Sequence, residues 1–451
     1  MVGSKWTWTK GLAIAGTIAG SLLMGSQVKA QEEAPASDGF WLNPFNLPEN
    51  FGWMSDPKTP AEGIADALFG GKFSMNNRLR WEHVSQTGRD ETSAITNRTR
   101  FGYATKPLNG VSAFVELENN TPFDRSDYSV PQASQGASTK AVVADPEEVE
   151  LNQAYIKYAG KLDDISLNAI IGRQRIIIDD ARFIGNVGWR QMEQTYDAAN
   201  FSSDLGIKGF DLQYIYIWKV NRIFTEEATV AGATPFDSSS HVIHASYQFC
   251  KEFKLIGFAY LLDLENDGGN NNSSQTYGVT GLGNIKLDDT WTFGYKLTYA
   301  HQSDYADSTL DYEADFFAID VKLSVKDLGF GGVGFQLLGS DGGAAAFQFP
   351  LGTNHAYQGW ADVFLSTPAS GVEDFYIYAG TKLPFGINAK VFYHDYSANK
   401  GSGDLGTEFD FVLAKKINKN WSVLAKFADY NGEDSGNADR TKFWLETTFT
   451  F

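Results

Sequence analysis

The last ten residues, from Lys442 to Phe451, constrain the fold more than any other stretch of the chain. Phe443, Leu445, Thr447, Phe449 and Phe451 fall on one face of an extended strand, and Trp444, Glu446, Thr448 and Thr450 fall on the other, because strand side chains alternate with period two. A chain that ends on a bare aromatic, with one apolar and one mixed face, suits a closed barrel in lipid. Any half-buried strand alternates, so the weight of this signal depends on whether the rest of the chain agrees.

The other end does. Lys5 and Lys10 form a short basic region, Gly11 to Met24 an apolar run, and Val28, Lys29 and Ala30 a small-residue cleavage site. This pattern predicts a cleaved export signal over 1–30 rather than an anchor, since the run is short for a spanning helix. Past residue 30 there is no run of 18 apolar residues. The chain is thus expected to be exported without a transmembrane helix. Residues 31–72 read as an irregular leader, in the periplasm or tucked into a barrel mouth, rich in Pro and Asn, that carries a short helix. Thr59, Pro60 and Glu62 open that helix as a capping box with Pro at its first position, and Gly70 and Gly71 close it near residue 69.

No linker or composition shift divides 73–451, which is read as one domain. Cys250 is the single cysteine, so no intramolecular disulfide stabilises the exported chain. A closed ladder of strand hydrogen bonds is the expected substitute. The formal charge of −18 becomes −21 when Lys5, Lys10 and Lys29 are removed. Acidity on that scale argues against nucleic acid as a partner. The acids gather in polar segments expected to be loops, five of them between Asp304 and Asp315, with Glu433, Asp434 and Asp439 in another. They read as solvated surface, and no spaced calcium-loop pattern accompanies them.

From Phe73 onward the pattern is one of repeated strands. Val111, Ala113, Val115 and Leu117 oppose Ser112, Phe114, Glu116 and Glu118. Trp291, Phe293, Tyr295, Leu297 and Tyr299 oppose Thr292, Gly294, Lys296, Thr298 and Gln302. Phe210, Leu212, Tyr214, Tyr216 and Trp218 oppose Asp211, Gln213, Lys219 and Asn221. Aromatics near the ends of the apolar faces match interfacial girdles. Such segments number 18 or 19, and since single-chain bacterial barrels have an even strand count, the prediction is 18. The fold class is therefore all-β, a transmembrane antiparallel β-barrel. Short turns at 107–110 and 418–420 should face the periplasm, and long polar segments at 124–145, 226–240 and 266–274 the outside. A soluble propeller or sandwich also has many short strands, but it does not require aromatics so consistently on one face.

Cations recur in pairs two residues apart: Arg78 and Arg80, Arg98 and Arg100, Arg173 and Arg175. Each pair shares a strand face, and an arginine facing lipid near the midplane costs about 2–4 kcal/mol. All six are expected in the lumen. One reading is a cationic ladder that guides an anion, since the guanidinium fork binds carboxylates bidentately. The other is a salt-bridge network with Glu82, Glu116 and Glu118 that fills and stiffens the barrel. Arg182 and Arg190 sit in a segment, 176–193, that reads as an inward-folding loop able to narrow or plug the lumen.

An enzyme is the competing class. The six histidines form no metal pair at strand spacing: His241 and His244 fall on opposite faces, as do His394 and Asp395. Neither a nucleophile elbow nor a His-Glu-x-x-His motif occurs, so no catalytic residue, metal or cofactor is assigned.

These residues resemble the alginate export family of outer-membrane porins. The likeness rests on Asn77 to Glu82, Arg98 to Tyr103, Leu151 to Ile156, the run from Ile171 to Asp197, His355 to Phe364, and the terminal Phe451. It implies an 18-stranded barrel in the outer membrane of a Gram-negative-type bacterium, reached by Sec export, with an arginine-lined, anion-conducting path. It further implies acidic oligo- or polysaccharide as solute, contacts with outer-membrane lipid and lipopolysaccharide, and assembly machinery that reads Phe451. A structural or adhesive barrel occluded by its own loops is the alternative.

Overall fold

The computed structural model describes residues 60–451 apart from 231, 270, 271 and 433–435. The expected export signal and most of the leader, together with Thr59, Glu433 and Asp434, lie outside these residues. Helix α1 spans Pro60–Phe69 as the capping pattern predicts. It docks on the first short turn, where Tyr103 Oη donates to Leu68 O at 2.7 Å and Lys106 N donates to Ala67 O at 3.0 Å.

Eighteen long strands follow. The first six are β1 (Lys72–Gln86), β2 (Thr92–Ala104), β3 (Val111–Pro122), β4 (Glu148–Leu162), β5 (Ile165–Gln174) and β6 (Thr195–Ser203). Next come β7 (Phe210–Asn221), β8 (Phe236–Cys250), β9 (Phe253–Leu262), β10 (Ser274–Lys286), β11 (Trp291–Asp304) and β12 (Glu313–Val325). The last are β13 (Gly329–Leu338), β14 (Val372–Leu383), β15 (Ile387–Ser397), β16 (Asp404–Lys416), β17 (Trp421–Asn431) and β18 (Arg440–Thr450).

Each strand pairs antiparallel with the next, and β18 pairs with β1, so the sheet has no edge. Arg80 lies opposite Glu446 and Arg78 opposite Thr448 in the closing register. Met75 and Phe451 exchange both backbone hydrogen bonds, at 3.0 and 2.8 Å. The connections alternate in length. One end of the barrel has short turns such as 105–110, 163–164, 251–252 and 417–420, and the other has longer segments such as 123–147, 175–194, 222–235 and 339–371. Both the start of β1 and Phe451 lie at the short-turn end.

The outer surface exposes Leu79, Trp81, Ile95, Phe101, Val115, Leu117, Ile156, Ile171, Leu297, Ile319 and Leu445. Apolar exposure that continues around a protein exceeds what water tolerates and calls for lipid. The expected alternation holds in β18, where Trp444, Glu446 and Thr448 are buried inside and Leu445 and Phe449 are exposed.

The interior departs from a simple polar lumen. The segments 175–194 and 339–371 fold inward and join, with Gly185 N donating to Leu351 O and Thr353 N to Ala181 O, both at 2.9 Å. Ile176, Ile178, Ile184, Phe347, Phe349, Leu351 and Phe364 form an apolar core with Ile215 and Ile217 of β7, Val242 of β8, and Ile256, Phe258 and Leu262 of β9. Phe183 packs at its centre, 4.8 Å from Phe258 and 5.1 Å from Phe349 between ring centroids. The lumenal face of β7 was expected to be polar, yet it carries these isoleucines because the inward segments cover it. Farther along β7 a bulge opposite Asp197 and Ala198 shifts the register, so Lys219 does not continue the inner row.

Candidate functional site

The opposite half of the interior is charged. Burial of Arg78, Arg80, Arg98 and Arg100 on the inner face of β1 and β2 follows from their parity: residues of the alternate parity, Leu79 and Phe101 among others, face lipid. The four have 0%, 0%, 1% and 8% of their surface exposed. A buried guanidinium is tolerable only with paired charge and acceptors on its donors. Glu446 on β18 supplies them to Arg80, accepting from Nη2 at 2.7 Å and from Nε at 3.0 Å. Glu118 on β3 binds Arg100, and Arg98 reaches Asn76.

The other partners come from the inward segments. Arg78 Nε donates to Gln191 Oε1 at 2.8 Å and its Nη1 to Gly188 O at 3.0 Å. Glu193 lies 3.3 Å from Arg100 Nη2 and accepts from Arg175 Nε at 2.8 Å. Burial pushes the Glu193 carboxyl up, but Arg100 and Arg175 outweigh it and hold it well below the usual carboxylate range. Arg190 donates to Glu82 of β1 at 3.2 Å and to Asp362 of the 339–371 segment at 2.9 Å. Arg182 sits in an aromatic nest, 3.7 Å from the Phe349 ring centroid and 4.3 Å from that of Tyr357, and donates to Gln358 Oε1 at 2.8 Å. Burial lowers its pKa to about 10.

A latch completes the arrangement. Lys442 of β18 donates to Asp362 Oδ2 at 2.6 Å, and His355 Nδ1 lies 2.6 Å from Asp362 Oδ1. Lys426 of β17 donates to His355 Nε2 at 2.7 Å, which places the ring proton on Nδ1, facing Asp362. The ammonium lies 3.7 Å from the Trp360 ring and 4.1 Å from the Trp189 ring, and Trp189 stacks on His355 at 4.6 Å. Burial pushes the His355 pKa well below its ordinary value, with Lys426 and Arg190 acting the same way and Asp362 opposing them. Burial raises Asp362, but His355, Lys442 and Arg190 hold it well below its ordinary value.

Seven of the eight expected arginines therefore meet inside the barrel. Arg173 does not. It shares the parity of lipid-facing Ile171, and its Nε donates at 2.8 Å to Asp197, its cross-strand partner on β6. Lys219 lies opposite Asp197 on β7, so a row of alternating charge crosses these strands near their long-loop ends. The pair spacing that suggested a shared face is broken because Arg175 lies just past the end of β5. Sequence reasoning also missed Asp145, Glu193, Asp362, His355, Trp189, Lys426 and Lys442. The block from Trp189 to Gln194 was a visible signal, since it puts five polar or aromatic residues around Met192 in what would otherwise be a loop. Of the histidines, His244 points inward to Asp179 at 2.9 Å while His241 meets Tyr214 on the outer side. Among the described residues no group of three or more His, Cys, Asp or Glu is arranged to hold a metal ion.

A closed 18-stranded sheet with a lipid-facing exterior and inward-folded loops is the architecture of an outer-membrane β-barrel of the porin type. Solved barrels of this shape include OccAB4 of Acinetobacter baumannii (TM-score 0.61, 17% identity, 84% of this chain and 98% of that one). OccAB2 of the same organism matches at TM-score 0.63 and 15% identity, over 86% of this chain and 99% of that one. OpdK of Pseudomonas aeruginosa, solved with vanillate, matches at 0.60 and 14% identity, over 84% and 98%. At these identities the likeness is one of fold. No curated protein matches the chain in sequence. The alginate export family model matches residues 70–216, from the end of α1 into β7, which includes both arginine pairs of β1 and β2.

Proposed function

We propose that the protein is an outer-membrane channel for polar, anionic solutes, acidic oligo- and polysaccharides among them, with the inward segments forming its constriction. The observation that carries this reading is how the arginine ladder is occupied. Carboxylates and carbonyls borne on the inward segments, Glu193 and Arg190 O above all, engage Arg100 and Arg78. They stand where the carboxylates of a passing solute would bind. Among the described residues Arg80 Nη1 and Arg98 Nε find no hydrogen-bond acceptor, with carboxylates of Asp145 and Glu118 standing 3.9 Å away, so the ladder retains donor capacity for an entering anion. Closely spaced cations lower the cost of entry and let the solute pass from site to site. Vanillate, found with OpdK, is itself a carboxylate. On this reading residues 1–30 direct Sec export, outer-membrane lipid and lipopolysaccharide surround the barrel, and assembly machinery reads Phe451.

Planar-bilayer recording of the refolded protein tests it. Anion-selective conductance is expected, and changing Arg98 and Arg100 together to Gln should move the reversal potential toward cations. Conductance with cation preference in the unmodified protein would remove the arginine path while leaving a porin. Absence of conductance would favour the second reading, a structural barrel sealed by its loops, which the near-complete burial of the ladder supports.

A further inference from the structure

On the wall formed by β12 to β15, four rings lie almost parallel. Tyr376 and His394 are cross-strand partners, as are Tyr378 and Phe392. Their centroids are 5.3 and 5.4 Å apart, with interplanar angles of 29° and 24°. Along the strands Tyr376 and Tyr378 are 6.1 Å apart at 27°, and Phe392 and His394 6.2 Å apart at 18°.

The tyrosines lie flat against the wall. Gly334 and Gly332 of β13 stand opposite Tyr376 and Tyr378. A Cβ on Gly334 would come 2.1 Å from Tyr376 Cζ, and one on Gly332 2.3 Å from Tyr378 Cζ. Both hydroxyls reach past β13 and donate to Asp320 of β12, at 3.1 and 2.7 Å. A ring that crosses one strand to bond with the next has one face on glycine backbone and the other toward the lumen. Phe330, laid over Gly380, extends the surface toward the short-turn end, and Trp360 of the 339–371 segment meets Phe392 edge-on. Tyr376, Tyr378, Phe392 and Phe330 are only half-buried, unlike the ladder arginines.

We infer that this aromatic pavement is a binding site for the pyranose rings of neutral saccharides. Flat aromatic faces receive the axial C–H groups of a sugar ring, as they receive other flat ligands by stacking. The hydrogen-bonding edge comes from Asp320, while Asp374 has no exposed surface and is bound to His394 Nδ1 at 2.9 Å. A sugar hydroxyl can donate to the Asp320 carboxylate, whereas a uronate or an aromatic acid would bring a like charge against it. Lys322, 5.7 Å from the Phe330 ring, is the cation at the lower end. The pavement thus complements the arginine ladder: it holds the uncharged rings of a solute whose charges the ladder attracts. It rests on the channel reading only for the solute's access to the lumen.

Calorimetric titration of the detergent-solubilised full chain tests this. A neutral glucose hexasaccharide, a uronate hexasaccharide and vanillate are titrated separately. Saturable binding of the neutral hexasaccharide is expected, weakened about tenfold in Phe392→Leu and kept in Tyr378→Phe. Phe392→Leu keeps apolar volume, and unchanged heat-modifiable migration on gels would show that it folds. No binding of the neutral sugar, or equal binding to Phe392→Leu, overturns the site. Uronate or vanillate binding that Phe392→Leu weakens more than it weakens neutral-sugar binding also overturns it, since the pavement would then prefer charged rings. Neutral-sugar binding without conductance in the bilayer would remove the channel and keep the pavement, and conductance without such binding would do the reverse.

Discussion

Arg80 shows what a buried cation demands. It has no exposed surface, and its firm partner is Glu446, which accepts from both Nε and Nη2, while Asp145 stands 3.9 Å away. Trp189 covers its guanidinium at 4.2 Å. Removing one member of a buried pair leaves an uncompensated charge, at about 3–5 kcal/mol. Glu446→Gln should therefore lower the temperature at which the barrel loses its folded migration on gels, and Thr441→Ala, on the same strand with its hydroxyl at the surface, should leave it nearly unchanged. The inward direction of Arg80 was readable from its alternation with Leu79 and Trp81. Its partner was not, because Glu446 lies 366 residues away and only closure of the sheet makes the two neighbours. Arg173 failed for a related reason: whether Arg175 continues its strand depends on where β5 ends, and spacing alone does not carry that.

At the level of elements, the 175–194 and 339–371 segments act as one body tied to β17 and β18 by the His355–Asp362 latch. Facing His355 are Asp362 on its own segment, Lys426 on β17, and Trp189 and Arg190 on the other inward segment. The folded state depresses the His355 pKa, so its contribution is present above the free imidazole value near 6.5 and is lost as pH falls below it. Protonation removes the acceptor for Lys426 and sets an imidazolium beside an ammonium. Asp362 is also depressed, so its contribution persists until pH drops below about 4. Single-channel records taken as pH steps from about 7.5 to 5.5 should show more frequent transitions to larger conductance. His355→Gln should abolish that dependence; a pH response that survives the substitution would place the switch elsewhere. The inward segment around Arg182 and Arg190 was legible because an arginine-rich, strand-poor stretch has no place on a lipid-facing wall. That it would pack against a second inward segment was not legible, since the isoleucines of β7 that receive both look the same whether they face lipid or a plug.

For the whole molecule, closure is the decisive property. The terminal alternation, the strand count and the length of α1 were readable from periodicity and capping, which are local. The final pairing of Met75 with Phe451 adds two backbone hydrogen bonds at the short-turn rim. Phe451 itself stays largely exposed, so its side chain contributes little packing to the finished barrel. Deleting Phe451 should therefore reduce the amount of barrel assembled in cells while leaving the conductance of assembled molecules unchanged. Normal membrane insertion of the shortened chain would count against a role in assembly.

Arg190 joins Glu82 on β1 to Asp362 on the inward body, and that body rests against β7 to β9 on the far side. Mechanically this is a spoke across a thin hoop. An empty ring of this circumference would flatten readily under sideways pressure from the bilayer, whereas a ring braced across its diameter keeps a round outline. The plug then sets the cross-section of the barrel, and any motion that frees it also softens the wall.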